Sequence, residues 1–108
     1  DGVAVVANDR VLVKNQTTTS TNGIYVVAAG AWSRSADADT WNELISAFTF
    51  IERGTVNADT GWVCTVDAGG TLGTTPVTFS QFSGAGTYQA GTGLSLTGNT
   101  FALQAYRV

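Results

Sequence analysis

The chain has 108 residues, a net charge of −3, and only 12 % charged against 44 % hydrophobic residues. That length and composition suit one folded domain with one core and exclude a disordered polymer. The five cations, Arg10, Lys14, Arg34, Arg53 and Arg107, are scattered and leave no basic footprint for nucleic acid.

Short β-type runs fill the first half. "VAVV" (Val3 to Val6) leads into a turn at Ala7-Asn8-Asp9. "RVLVK" (Arg10 to Lys14) alternates, with Val11 and Val13 on one face and Arg10, Leu12 and Lys14 on the other. The polar run Asn15 to Thr21 reads as a loop, and Asn22-Gly23 as a turn dipeptide before the strand "IYVV" (Ile24 to Val27). A further short run surrounds Trp32. "ADADTWNELISAF" (Ala36 to Phe48) differs. Asp37 and Asp39 are candidates to cap a helix, and Leu44, Ile45 and Phe48 recur near helical spacing, so one short helical turn is expected near Thr40 to Leu44.

Strand patterns then resume in "FTFIE" (Phe48 to Glu52), which Gly54 breaks, and in "TGWVCTV" (Thr60 to Val66), with Trp62, Cys64 and Val66 on one face. A loop from Asp67 to Pro76 precedes the strand "VTFSQF" (Val77 to Phe82), where Pro76 cannot donate to a ladder. Six or seven short strands within ~80 residues predict an all-β chain with one short helical turn: a compact antiparallel sandwich or small barrel. Composition shifts at "SGAGTYQAGTG" (Ser83 to Gly93). The expected organisation is a module over 1–83, a Gly-rich linker over 84–93 and a further segment over 94–108. In "LSLTGNTFAL", Gly98-Asn99 is a hairpin signal. It pairs Thr97 with Thr100, Leu96 with Phe101, Ser95 with Ala102 and Leu94 with Leu103. Leu94, Leu96, Phe101 and Leu103 then share one apolar face, which a lone hairpin cannot stabilise in water.

Candidate chemistry is sparse. Without histidine there is no Ser-His-Asp or Cys-His triad, and with one cysteine there is neither an intrachain disulfide nor a Cys/His metal cluster. Cys64 reads as a small buried hydrophobe. Asp37, Asp39 and Glu43 suit helix capping better than paired-carboxylate catalysis or calcium binding. Asp59 and Asp67 bracket a strand and suit turns. "GAGTYQAGTG" lacks the Lys-Ser/Thr ending of a phosphate loop. Trp32, Trp41 and Trp62 suit core packing better than sugar stacking. Trp32, beside Ser33 and Arg34, is the one expected at the surface, so Trp32 and Arg34 are the candidate glycan-binding residues. No cofactor is implied. No apolar run approaches the ~20 residues that span a bilayer, and no signal peptide is visible.

Two stretches carry a resemblance. "DRVLVK" (Asp9 to Lys14), "NGIYVV" (Asn22 to Val27), "GAW" with "DAD" after it, "GTVNADTGWVCT" (Gly54 to Thr65) and "VTFSQFSGAG" (Val77 to Gly86) resemble a module of bacteriophage tail-fibre and tail-spike proteins, over roughly residues 1–86. The match departs at Asn8, where glycine is commoner. "YQAGTGLSLTGNTFAL" (Tyr88 to Leu103) resembles the short repeats of trimeric fibre shafts. The resemblance implies a non-enzymatic structural component of the virion, a spacer or connector that presents a receptor-binding region to the host surface. It implies a homotrimer, intertwined through a β-hairpin shaft segment, with other tail proteins as neighbours. Leu94, Leu96, Phe101 and Leu103 would face inward at the trimer interface. The alternative is an adhesin module that itself binds bacterial surface polysaccharide. In such proteins more strands usually lie upstream, so this chain, which starts at Asp1 and contains no methionine, is expected to be a piece of a longer polypeptide.

Overall fold

The computed structural model describes residues 1–84, 95–97 and 100–102. Three strands, β1 (Arg10–Val13), β2 (Gly23–Val26) and β3 (Ser33–Arg34), form one antiparallel sheet in that order. A single helical turn, α1 (Trp41–Leu44), leads to the second antiparallel sheet, formed by β4 (Phe48–Phe50), β5 (Thr60–Cys64) and β6 (Phe79–Gly84). Beyond it, β7 (Ser95–Thr97) pairs with β8 (Thr100–Ala102). The described residues are thus all-β apart from the one turn of α-helix and a 3-10 turn at Thr19–Thr21. No ladder joins the two three-stranded sheets among the described residues, so the arrangement is two sheets rather than a closed barrel.

Both sheets give side chains to one core. Ile24 comes from β2 and Cys64 from β5, and between them pack Ala38, Trp41, Leu44, Val66 and Val77. Leu12 and Phe79 close its margins. Leu44 and Val77 are fully buried. The helical turn therefore acts as a plug: it is too short to be stable by itself and survives because Trp41 and Leu44 are sunk in the core. The Trp41 indole Nε1 donates to the Asp67 carbonyl at 2.8 Å. The loop that follows lies against the same ring, since a Cβ on Gly70 would come within 2.1 Å of Trp41 Cζ2.

Local chemistry explains the ends of the elements. Thr40, not Asp37 or Asp39, is the N-cap of α1: its Oγ1 accepts from the Glu43 amide, and the Glu43 carboxylate reaches back to the Asp39 amide. This is a capping box displaced by one residue, spelled by "TWNE": the carboxylate takes the amide before the N-cap rather than that of Thr40 itself. Asn8 sits at φ 74°, and the Asp9 amide donates to the Val6 carbonyl across it. Asparagine tolerates that left-handed conformation better than most residues with a Cβ, so it suits this turn.

Two expected strands differ. Val3 to Val6 forms no strand, because high β propensity makes no ladder without a partner. β6 begins at Phe79 rather than Val77, because the Val77 amide donates instead to the Thr19 carbonyl.

Asn22 is the junction between the parts. It is buried, yet no polar atom is wasted: Oδ1 accepts from the Gln16 amide at 2.9 Å and Nδ2 donates to the Val77 carbonyl at 3.0 Å. Its own carbonyl accepts from Arg34 Nη1 at 2.9 Å. A third link spans the sheets on the outside, where Lys14 Nζ lies 4.2 Å from the centre of the Trp62 ring, a contact of ~0.5–1 kcal/mol at exposed sites. Asn22→Ala strips partners from the Gln16 amide and the Val77 carbonyl. The expected loss is about 2–4 kcal/mol of unfolding free energy in urea, against well under 1 kcal/mol for Asn15→Ala on the exposed loop nearby.

Candidate interaction surfaces

The hairpin segment has the register its sequence pattern predicts. Ser95 pairs with Ala102, Leu96 with Phe101 and Thr97 with Thr100. Leu94 and Leu103, the outer pair of the expected apolar face, lie outside the described residues, as does the linker beyond Gly84.

The two candidate glycan-binding residues do different things. Trp32, just before β3, is 40 % exposed. Arg34 is half-buried and its guanidinium is occupied. Nη1 donates to the Asn22 carbonyl, Nη2 donates to the Ser20 carbonyl at 3.0 Å, and the group lies 5.2 Å from the Tyr25 ring centre. Gly23 makes this possible, because a Cβ there would meet Arg34 Nη1 at 2.3 Å. Arg34 thus clamps the Thr19–Thr21 turn onto the first sheet, and its fork of donors is spent on backbone. The other two tryptophans also have assigned work: Trp41 fills the core, and Trp62, half-buried under Lys14, donates from Nε1 to Thr60 Oγ1 at 2.7 Å.

The carboxylates near α1 divide between two tasks. Asp37 accepts from Ser35 Oγ at 2.6 Å and from Arg10 Nη2 at 3.0–3.1 Å on its two oxygens. The Ser35 hydrogen bond, aided by the Arg10 charge, holds its carboxyl below the ordinary aspartate range. Asp39 and Glu43 perturb each other through a shared side-chain hydrogen bond, which raises Asp39 and lowers Glu43. Both stand in open solvent, and the Glu43 carboxylate is engaged in the capping box. Burial pushes the Cys64 thiol up, which keeps it protonated and chemically quiet at neutral pH.

A cleft of about 640 Å³ lies beside both sheets, with Arg10, Lys14, Asp37, Phe50 and Arg53 on its walls. Two ion pairs lie on its walls: Arg10 is bound to Asp37, and Arg53 Nη2 lies 3.7 Å from Asp9; Asp1 and Glu52 line it as well as Lys14. No family model, curated protein or solved structure matches the chain.

Sequence reasoning missed Asn22 and Arg34 as structural clasps. Neither clasp has a local signal, because their partners lie up to 55 positions away, at Val77. The Thr40–Glu43 capping box was available in the sequence at its usual spacing. The lowered carboxyl of Asp37 adds stability that is present above the ordinary aspartate range and is lost as pH falls through its lowered value. Asp37→Asn should therefore narrow the difference in Tm between pH 6 and pH 2, as read by thermal unfolding at fixed ionic strength.

Proposed function

We propose that this chain is a structural component of a bacteriophage tail fibre or spike, a two-sheet module followed by the start of a trimeric shaft. It acts by geometry, as a spacer or connector that presents a receptor-binding region to the bacterial surface. The observation behind the reading is the antiparallel pairing of Leu96 with Phe101 within "LSLTGNTFAL", the hairpin expected of the segment that resembles a shaft repeat. A two-stranded ribbon of this kind is marginal in isolation, so a role in assembly gives its apolar positions a purpose. The weakly charged, Thr- and Ser-rich surface of the first module is in keeping with a rigid assembly part. The test is native mass by light scattering on the whole chain. The wild type is expected to be a trimer, and Leu96→Asp a monomer with the near-UV spectrum of the first module unchanged. An assembled Leu96→Asp chain, or a monomeric wild type, overturns the reading.

The exposed Trp32 ring favours a second reading, in which the module binds bacterial surface polysaccharide itself. An indole face is a platform for a sugar ring, and here it acts without the Arg34 guanidinium, which is bound elsewhere. Trp32→Ala should then abolish binding on a bacterial glycan array, whereas no wild-type binding at millimolar sugar removes this reading.

A further inference from the structure

The segment Val3 to Val6, strand-like in composition but without a ladder, is tied down on both sides. After it, the Val6 amide donates to Asp9 Oδ2 at 3.0 Å, and the Asn8 amide reaches the Val27 carbonyl, just past β2, at 2.9 Å. Before it, Asp1 sits on the turn that joins β4 to β5. Three successive amides of that turn point to this one residue. Thr55 donates to the Asp1 carbonyl at 2.8 Å, Val56 to Oδ1 at 2.9 Å and Asn57 to Oδ2 at 3.0 Å. Two glycines make the fit possible. A Cβ on Gly54 would lie 2.7 Å from Asp1 Oδ2, and one on Gly2, at φ 76°, would run into Thr55 Oγ1. Between its ties the segment lies along the cleft, with the alternate residues Asp1, Val3 and Val5 on the cleft wall. Val5 is 40 % exposed and Val6, which does not line the cleft, 66 %.

We propose that the turn Gly54–Asn57 is a carboxylate-binding site, that Asp1 is its tethered ligand, and that this bond latches Asp1 to Val6 as a strap over the cleft. The inference goes beyond the assembly reading above and does not rest on it. Successive backbone amides aimed at one point form a concave, positive nest that takes anions. Here each carboxylate oxygen accepts from its own amide, a two-pronged arrangement suited to a carboxylate. Such bonds are charge-assisted and stronger than neutral ones. Among the described residues no cationic side chain pairs with the Asp1 carboxylate, so backbone alone recognises it. Recognition through backbone reads the shape and charge of the ligand, not what the ligand is attached to. A free carboxylate as small as formate therefore fits the same place once Asp1 leaves it. Tethering keeps such competitors out of the intact chain, because a ligand joined by a short segment acts at a high effective concentration. The latch also sets what the strap does. With Asp1 seated, Val3 and Val5 lie on the cleft wall and the first sheet is tied to the β4–β5 turn. With Asp1 released, that tie is lost and the cleft opens on the strap side.

The experiment records amide and methyl NMR spectra and hydrogen exchange of the whole chain as wild type, Asp1→Ala, Gly54→Ala and the control Glu52→Ala, which removes another carboxylate from the cleft. In Asp1→Ala the Val56 and Asn57 amides are expected to exchange about tenfold faster, and the Val3 and Val5 methyl resonances to move. Sodium formate should then shift those two amides saturably and slow their exchange, with a smaller response to sodium chloride at equal ionic strength. The wild type, whose site is filled, should not respond. Gly54→Ala should free the same amides and respond to neither salt, because its Cβ stands where the carboxylate sits. Glu52→Ala should match the wild type. Unchanged exchange at Val56 and Asn57 in Asp1→Ala overturns the latch. Faster exchange without a formate response beyond that of chloride overturns the carboxylate site, and Val3 and Val5 methyl groups that stay in place overturn the strap. None of these outcomes depends on the state of assembly, which light scattering reads separately.

Discussion

The two hydrogen bonds of one buried amide hold this architecture together. Asn22 is where the first sheet, the polar loop before it and the approach to the second sheet come within reach of one side chain. Burying an amide is costly unless each polar atom finds a partner. Here both do, and the Arg34 guanidinium secures the backbone on the other side. With the junction fixed, Val77 is pinned in the core and its amide is drawn to Thr19. The start of β6 at Phe79 follows from that.

Around this junction the core is small and depends on its plug. Trp41 and Leu44 belong to a four-residue helix, yet they contribute much of the apolar filling between the sheets. The turn is held at its start by the Thr40–Glu43 capping box, at its centre by burial, and through the indole by Asp67 and Gly70. Ordinary charges are few, so capping, turn and side-chain-to-backbone bonds carry the specificity that surface ion pairs seldom provide.

What was legible in the sequence was whatever depends on near neighbours. The alternation of Arg10 to Lys14 and the propensity of Ile24 to Val27 located strands; a helical turn was expected near Thr40 to Leu44 and forms at Trp41–Leu44, but Phe48, counted in its spacing, opens β4 instead. The Gly98-Asn99 signal predicted the register of Leu96 with Phe101. What was hidden depends on distant partners. Val3 to Val6 has the composition of a strand but no ladder, and Val77 gives its amide to a loop rather than to β6. For the candidate sites, composition ranked Trp32 as the most exposed tryptophan, and the structure places it at 40 %. Nothing local marked Arg34 as a clamp, because its two acceptors are carbonyl groups, which every residue type carries.

The placement of Asn22 also bears on how the chain ages. Asparagine followed by glycine is the dipeptide most prone to lose its side-chain ammonia, because the small next residue lets the Gly amide nitrogen attack the asparagine carboxamide carbon. That attack requires the side chain to rotate toward the backbone. In the folded chain Nδ2 is held by Val77 and Oδ1 by Gln16, and the site is closed to water. The Asn22-Gly23 bond thus combines a chemically fragile pair with a conformation that withholds the reaction, and the same clasp that sets the fold also protects its own covalent integrity over time.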